Sequence, residues 1–151
     1  MDENEFRAAY RDINEVRCVF EKGLNARRCV CRRARHFLLA GREGYQCASA
    51  PRQARCVAYL DLLRQQARFT VGVAQPDGPL PHNKELRIQI GGLLGLKRLL
   101  AERSGEAGNE LDVDRLLTAA ADEYGAVEDI PFERLLSDIA AFQGRRRRGK
   151  T

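Results

Sequence analysis

The sequence contains few aromatic residues and no tryptophan. Aromatic side chains account for 7% of its 151 residues. Proteins that bind single-stranded nucleic acids stack the bases on aromatic rings, so this composition offers few platforms for such binding. The sequence also lacks the helix-turn-helix, RNA-recognition and finger signatures of common nucleic-acid-binding domains.

A long hydrophobic run is also missing. The longest apolar stretch, Ile88 to Leu100, contains three glycines, a glutamine, Lys97 and Arg98, and it is shorter than the about 20 apolar residues of a membrane-spanning helix. The first ten residues, MDENEFRAAY, open with acidic residues and lack the apolar centre of a signal peptide. We therefore expect a cytoplasmic protein without a membrane span.

The sequence lacks the familiar catalytic motifs, so it does not indicate an enzyme. The patterns G-x-S-x-G, E-x-x-H and D-x-D-x-D-G are all absent. Residues 90–95, IGGLLG, lack the first glycine of the dinucleotide-binding pattern G-x-G-x-x-G. Glycines at these positions indicate instead close packing of the backbone, either against another helix or beside a cluster.

One nucleotide-binding pattern is present at residues 144–151, GRRRRGKT, which match G-x-x-x-x-G-K-[ST]. A phosphate-binding loop of this kind needs a strand before it and a helix after its Lys-Thr pair. Residues 131–142 have helical spacing instead, and the sequence ends at Thr151. We interpret the match as false and residues 144–151 as a basic disordered tail.

Charges of opposite sign are concentrated in different parts of the chain, whose net charge is +5. Residues 1–60 hold twelve basic and seven acidic residues, whereas residues 106–143 hold two basic and ten acidic ones. The hydrophobic and charged fractions, 44% and 31%, are typical of a globular protein. We expect one helical domain over residues 1–143, with a basic, cysteine-rich N-terminal half and C-terminal helices whose acidic side chains face solvent.

Hydrophobic periodicity predicts a mainly α-helical domain of about five to six helices. The ranges with helical spacing are 3–22, 34–40, 50–69, 91–102, 112–124 and 130–143. Ser49 and Pro51 suit the N-cap and first turn of a helix, and Asp129 and Pro131 are placed in the same way before the last one. Residues 69–73 and 86–90 are strand-like, so at most a small two-stranded β ribbon is expected there.

Five cysteines occur with the spacing C18-x10-C29-x-C31-x15-C47-x8-C56. Thiols stay reduced in the cytoplasm, so we expect ligands, nucleophiles or small core residues rather than disulfides. Cys29 and Cys31 are two residues apart, which in an extended or turning segment places both thiols on the same side. The arginines around this pair suit an exposed turn, and we expect them to lower the thiol pKa values.

The preferred metal ligands are Cys18, Cys29, Cys31 and Cys47, with Cys56 as a substitute. Cys18 lies on the polar face of the first predicted helix, where packing within that helix does not explain it. Cys56 lies on the apolar face of its helix and suits a core position. The sequence lacks both the C-x2-C pairs of common zinc sites and the C-x2-C-x2-C run of ferredoxins. Four dispersed cysteines at helix ends and in loops suit an iron–sulfur cluster better than a zinc site, so we prefer the cluster and keep zinc as the alternative.

These features predict a cytoplasmic metal-binding protein in which four cysteines hold an iron–sulfur cluster of the 4Fe–4S type. The cluster transfers electrons or supports the fold, and the partner is another protein. One alternative is a zinc-stabilised or metal-free module that binds nucleic acid through the basic N-terminal half and the tail. Its contacts to nucleic acid or another anionic partner are Arg145, Arg146, Arg147, Arg148 and Lys150. The second alternative is a helical protein–protein interaction domain with ordinary reduced cysteines.

Overall fold

The computed structural model describes residues 2–104 and 110–143, and it confirms a mainly α-helical protein with one small β ribbon. The elements are α1 Glu3–Ile13, α2 Glu21–Asn25, β1 Ala34–Leu39, β2 Arg42–Cys47, α3 Ala50–Val71, α4 His82–Ser104, α5 Val113–Tyr124 and α6 Leu136–Ala141. Two short 3-10 helices, Val127–Asp129 and Phe132–Leu135, precede α6. None of the helices in the described ranges is long and apolar enough to cross a membrane. The predicted tail, 144–151, lies outside these ranges.

The core is built around α4, against which α3, α5 and α6 pack. Leu86, Ile88 and Ile90 are all at most 3% exposed although they alternate along the chain, because α4 is surrounded by other elements. A helix that is buried on most sides is apolar around most of its circumference. The strand expected at 86–90 is therefore wrong, since its alternation belongs to a central helix.

The β ribbon is made by β1 and β2, not by the expected ranges 69–73 and 86–90. The two strands are antiparallel, with Ala34 opposite Cys47 and Leu39 opposite Arg42. They are joined by the two residues Ala40 and Gly41, which have φ values of 51° and 80°. Positive φ at both positions matches the twist of a tight hairpin. The helix expected at 34–40 is wrong because this turn folds the segment back on itself.

The first helix is shorter than expected, since α1 ends at Ile13 and not at residue 22. The following segment runs beside β2: the Cys18 N–H donates to the Tyr45 carbonyl at 3.1 Å. In the same way, the Cys47 N–H donates to the Val16 carbonyl at 2.7 Å. Pairing with the ribbon replaces helical hydrogen bonds and brings Cys18 close to the end of β2.

The helix starts predicted from capping residues are correct in one case and wrong in the other. Ser49 caps α3, and its hydroxyl accepts from the Arg52 N–H at 3.3 Å. Asp129 instead ends a 3-10 helix, and Pro131 precedes a second 3-10 helix rather than an α-helix. The Phe132 N–H donates to the Ile130 carbonyl at 2.8 Å, so the chain turns tightly here and α6 begins only at Leu136.

Close packing between α4 and α6 depends on Gly91. A Cβ atom at this position would lie 2.6 Å from the Ile139 Cα, which is shorter than any normal contact. The sequence expectation of close backbone packing at residues 90–95 is thus confirmed at Gly91. The two helices can approach this closely only because Gly91 has no side chain.

Gly91→Ala is expected to lower the free energy of unfolding by about 1–3 kcal/mol, because the added methyl group overpacks the contact with the α6 backbone. Urea denaturation followed by circular dichroism measures the change. Gly78→Ala is the matched control, since a Cβ there would meet no atom within 4 Å. Equal losses in the two variants would contradict the packing role of Gly91.

Candidate metal centre

Four of the five thiols meet at one cavity although they come from four separate segments. Cys18 follows α1, Cys31 follows α2, Cys47 ends β2, and Cys56 lies in the second turn of α3. The residues that line the cavity are Cys18, Val19, Cys31, Ala34, Cys47, Gln53, Cys56 and Val113. Its volume is about 20 Å³, which is enough for one water molecule. Thiols are thus the only strong metal ligands in this lining.

Cys29 does not line this cavity. Its sulfur would lie 2.9 Å from a Cβ built on Gly23, next to the side chain of Ile90, so it packs between α2 and α4. Cys29 and Cys31 do share the wall of a neighbouring pocket of about 250 Å³. The structure therefore brings together three of the four preferred cysteines and adds Cys56, which the sequence suggested as the substitute.

The thiols around the cavity are not arranged for a single ion. Within residues 2–104 and 110–143, no group of three or more His, Cys, Asp or Glu side chains could hold one metal ion. Both histidines lie away from the cavity lining. The His36 ring lies 3.4 Å from a Glu43 oxygen and packs against Tyr45, and His82 is exposed at the start of α4.

Burial dominates the acid–base behaviour of the thiols. It raises the pKa of Cys18 to about 12 and that of Cys56 to about 12, and neighbouring thiols add to both shifts. Burial also raises the pKa of Cys29 and Cys31. The expectation that nearby arginines lower the thiol pKa values is therefore wrong. Arg55 does lower the pKa of Cys56, but by less than burial raises it.

Backbone N–H groups oppose the effect of burial at two of the sulfurs. A hydrogen bond from the Phe20 N–H lowers the pKa of Cys18, and hydrogen bonds from the Arg33 and Asp114 N–H groups lower that of Cys31. Hydrogen bonds of this kind favour the thiolate form, which is the form that binds metals. The polypeptide therefore offers N–H donors to two of the four sulfurs at the cavity.

The segment around Cys31 is held against the start of α5. The Val30 N–H donates to the Leu111 carbonyl at 3.0 Å, and the Val113 N–H donates to the Val30 carbonyl at 2.9 Å. Asp112 caps α5 by accepting from the Arg115 N–H, and its second oxygen accepts from the Arg32 N–H at 3.1 Å. These bonds fix the turn that presents Cys31 to the cavity.

A buried carboxylate, Asp114, gathers four arginines beside the cavity. Its side chain is 2% exposed. Its oxygens lie 2.6 Å from the Arg32 Nε, 2.8 Å from the Arg52 Nη1 and 3.0 Å from the Arg55 Nη2. The Arg33 Nε lies farther away, at 3.6 Å. We call these four residues the arginine cluster, and it joins the turn after Cys31 to α3 and α5.

The electrostatics of Asp114 follow from this arrangement. Burial acts to raise its pKa, but hydrogen bonds from Arg52 and Arg32 outweigh that effect and hold the pKa below its usual value.

The sequence expectation that the acidic residues of 106–143 face solvent is wrong for Asp112 and Asp114, which are 5% and 2% exposed. The opposite net charges of residues 1–60 and 106–143 were the sequence signal for buried partners of this kind.

Comparison with known proteins adds no family assignment to this geometry. No protein-family model matches the chain, and no curated protein and no solved structure matches it significantly. Functional inference therefore depends on the residues at the cavity and around it.

Asp114→Ala is expected to lower the free energy of unfolding by about 3 kcal/mol, since it leaves several arginines without their buried partner. Urea denaturation of the purified protein measures the loss. Glu102→Ala is the matched control, because Glu102 also pairs with two arginines, Arg98 and Arg134, but is 46% exposed. We expect the control to lose at most about 1 kcal/mol, and a loss as large as that of Asp114→Ala would contradict the role of burial.

Proposed function

We propose that this protein binds a metal centre through Cys18, Cys31, Cys47 and Cys56, and that the centre is an iron–sulfur cluster. The observation that carries the proposal is the convergence of these four thiols on one cavity. Cys18 belongs to the hydrophobic core, and Cys31 and Cys56 pack against it as small apolar residues do, but packing alone does not require four thiols from four segments to share one cavity. Ligation of a common centre accounts for all four positions at once.

The chemistry of the lining supports a thiophilic centre. The other residues around the cavity are Val19, Ala34, Gln53 and Val113, so no carboxylate or imidazole competes with the thiols. Soft thiolate ligands select iron–sulfur clusters, zinc and copper over magnesium or calcium. A bound metal supplies the positive charge that removes the thiol protons, which burial otherwise retains.

The preference for a cluster over zinc comes from the sequence, in which the cysteines are dispersed along the chain rather than paired as C-x2-C. A tetrahedral zinc site needs four sulfurs at about 2.3 Å from one point, and no described group of side chains is placed to hold a single ion. A cluster distributes its cysteine ligands over several iron atoms, so its ligands are spaced more widely. The cavity of about 20 Å³ is smaller than a cluster, so binding requires the cysteine side chains to turn outward.

The charge around the site is also suited to thiolate ligation. Four thiolates around a dication carry a net charge of about −2. A buried negative charge of this size needs positive charge nearby. Two members of the arginine cluster, Arg32 and Arg55, adjoin the ligands Cys31 and Cys56 in the sequence. The four arginines outnumber Asp114, and their excess positive charge partly offsets the negative charge of the site.

When bound, an iron–sulfur cluster would supply one-electron transfer or would hold the four segments together. The protein's own residues would bind it and would exclude water from it by burying Cys18, and backbone N–H groups donate to the sulfurs of Cys18 and Cys31. All five cysteines are free, which fits a cytoplasmic location, and another protein is the proposed partner. The alternative contacts to nucleic acid, residues 145–148 and 150, lie outside the described residues.

Single Cys→Ser variants test the proposal and the choice of ligands together. Protein purified without oxygen is expected to contain about four irons and four sulfides per chain, with broad visible absorption. Cys18→Ser, Cys31→Ser, Cys47→Ser and Cys56→Ser should each lose most of the iron and the absorption. Cys29→Ser should keep both, because the Cys29 thiol packs against Gly23 and outside the cavity.

Cys29→Ser is thus the matched control for the four ligand variants, and circular dichroism checks that each variant is folded. A wild-type protein that contains neither iron nor zinc would refute the metal centre. Zinc without sulfide would refute the cluster. Loss of iron in Cys29→Ser with retention in Cys56→Ser would show that the ligands are instead the four cysteines preferred from the sequence.

A further inference from the structure

We propose that Arg32, Arg33 and Arg52 form a docking surface for the acidic face of a partner protein. The inference rests on the proposed function, because the surface lies beside the proposed metal ligands. Binding of a partner at this surface can be measured whether or not a metal is bound. We call these three residues the docking arginines.

The docking arginines have more hydrogen-bond donors than Asp114 can accept. A carboxylate offers about four lone-pair positions, and each guanidinium carries five N–H donors. Asp114 already accepts from the Arg32 Nε at 2.6 Å, from the Arg52 Nη1 through both oxygens, and from the Arg55 Nη2 at 3.0 Å. The remaining donors of these arginines are therefore left for other acceptors.

Exposure shows where those donors can be reached. The side chains of Arg32, Arg33 and Arg52 are 42%, 44% and 33% exposed, whereas Arg55 is 19% exposed. The carboxylate that holds them lies below the surface at 2% exposure. The protein thus presents guanidinium groups to solvent and keeps the compensating negative charge beneath them.

Asp114 also restricts the motion of two of the docking arginines, Arg32 and Arg52. Arg52 bonds both Asp114 oxygens and donates to the Thr118 hydroxyl at 3.0 Å, and Arg32 is held through its Nε. Ordering a flexible side chain at an interface costs free energy, and side chains that are already ordered avoid that cost. Guanidinium groups held in this way are suited to paired hydrogen bonds with carboxylates.

A protein partner fits this surface better than a nucleic acid does. Single-stranded nucleic acids bind where basic residues alternate with aromatic stacking platforms. The cation–π contacts found in the described residues involve Arg28, Arg42, Arg68 and Arg103, and none involves a docking arginine. Complementary charge between two proteins speeds and orients their association, and docking here would place the partner next to Cys31 and Cys56.

The test measures binding of poly-L-glutamate, an acidic polypeptide, to the full-length protein. In all samples the five basic residues of the tail are changed to Gln, so that they do not contribute: Arg145, Arg146, Arg147, Arg148 and Lys150. Arg32→Gln with Arg33→Gln is expected to weaken binding about tenfold. Arg33→Gln alone should weaken it about threefold while leaving the shorter Asp114 bonds intact.

The matched control is Arg103→Gln with Arg134→Gln, which removes the same charge from exposed arginines that pair with Glu123 and Glu102. We expect it to change binding less than twofold. Equal weakening by the control, or no binding of poly-L-glutamate, would overturn the proposal. A larger effect of the Arg32 and Arg33 changes on oligothymidylate binding than on poly-L-glutamate binding would also overturn it. Iron analysis of the same samples reports separately on the metal centre.

Discussion

The contact between Asp114 and the arginine cluster is the interaction on which the cysteine site depends. A carboxylate at 2% exposure is costly unless charged partners surround it, and here the partners come from the turn after Cys31 and from α3. The bonds therefore join three parts of the chain that carry or contact the cavity. If this contact were lost, the turn, α3 and α5 would no longer be held in the same relation to each other.

The position of the thiols follows from this connection. Cys31 is held by the backbone bonds of Val30 to α5 and receives the Asp114 N–H, and Cys56 directly follows Arg55. The ribbon contributes Cys47, and the segment paired with β2 contributes Cys18. Four thiols from distant parts of the sequence thus line one cavity, because hydrogen bonds outside the cavity fix the segments that carry them. The proposed metal ligation would require movements of the cysteine side chains.

The predictions that succeeded depended on local chemistry, as at α3. Ser49 and Pro51 marked its start, because capping depends on the residues themselves. Its end at Val71 lies two residues beyond the predicted one. The predictions that failed involve tertiary contacts. The alternation of residues 86–90 is also produced by a helix that is buried on most sides, and nothing local distinguishes these cases. The ribbon was missed because the turn at Ala40 and Gly41 was not recognised.

At the candidate site, too, local features were predictable from the sequence and tertiary contacts were not. The sequence singled out Cys18, Cys29, Cys31 and Cys47, of which Cys29 lies outside the cavity. Cys18 reaches the cavity from the buried segment after α1 and not from the polar face of a helix. Cys56 looked like an ordinary core residue, and only the packing of α3 shows that it faces the other thiols. Asp114 looked like a solvent-exposed acid, since its partners lie between 59 and 82 residues away along the chain.

X-ray absorption at the iron edge tests the central claim most directly, applied to the protein purified without oxygen. It reports the identity of the atoms bound to the metal and any second metal nearby. The proposed site predicts iron surrounded only by sulfur, with further iron atoms as the next neighbours. Iron bound by nitrogen or oxygen, or the absence of iron neighbours, would contradict a cluster held by Cys18, Cys31, Cys47 and Cys56.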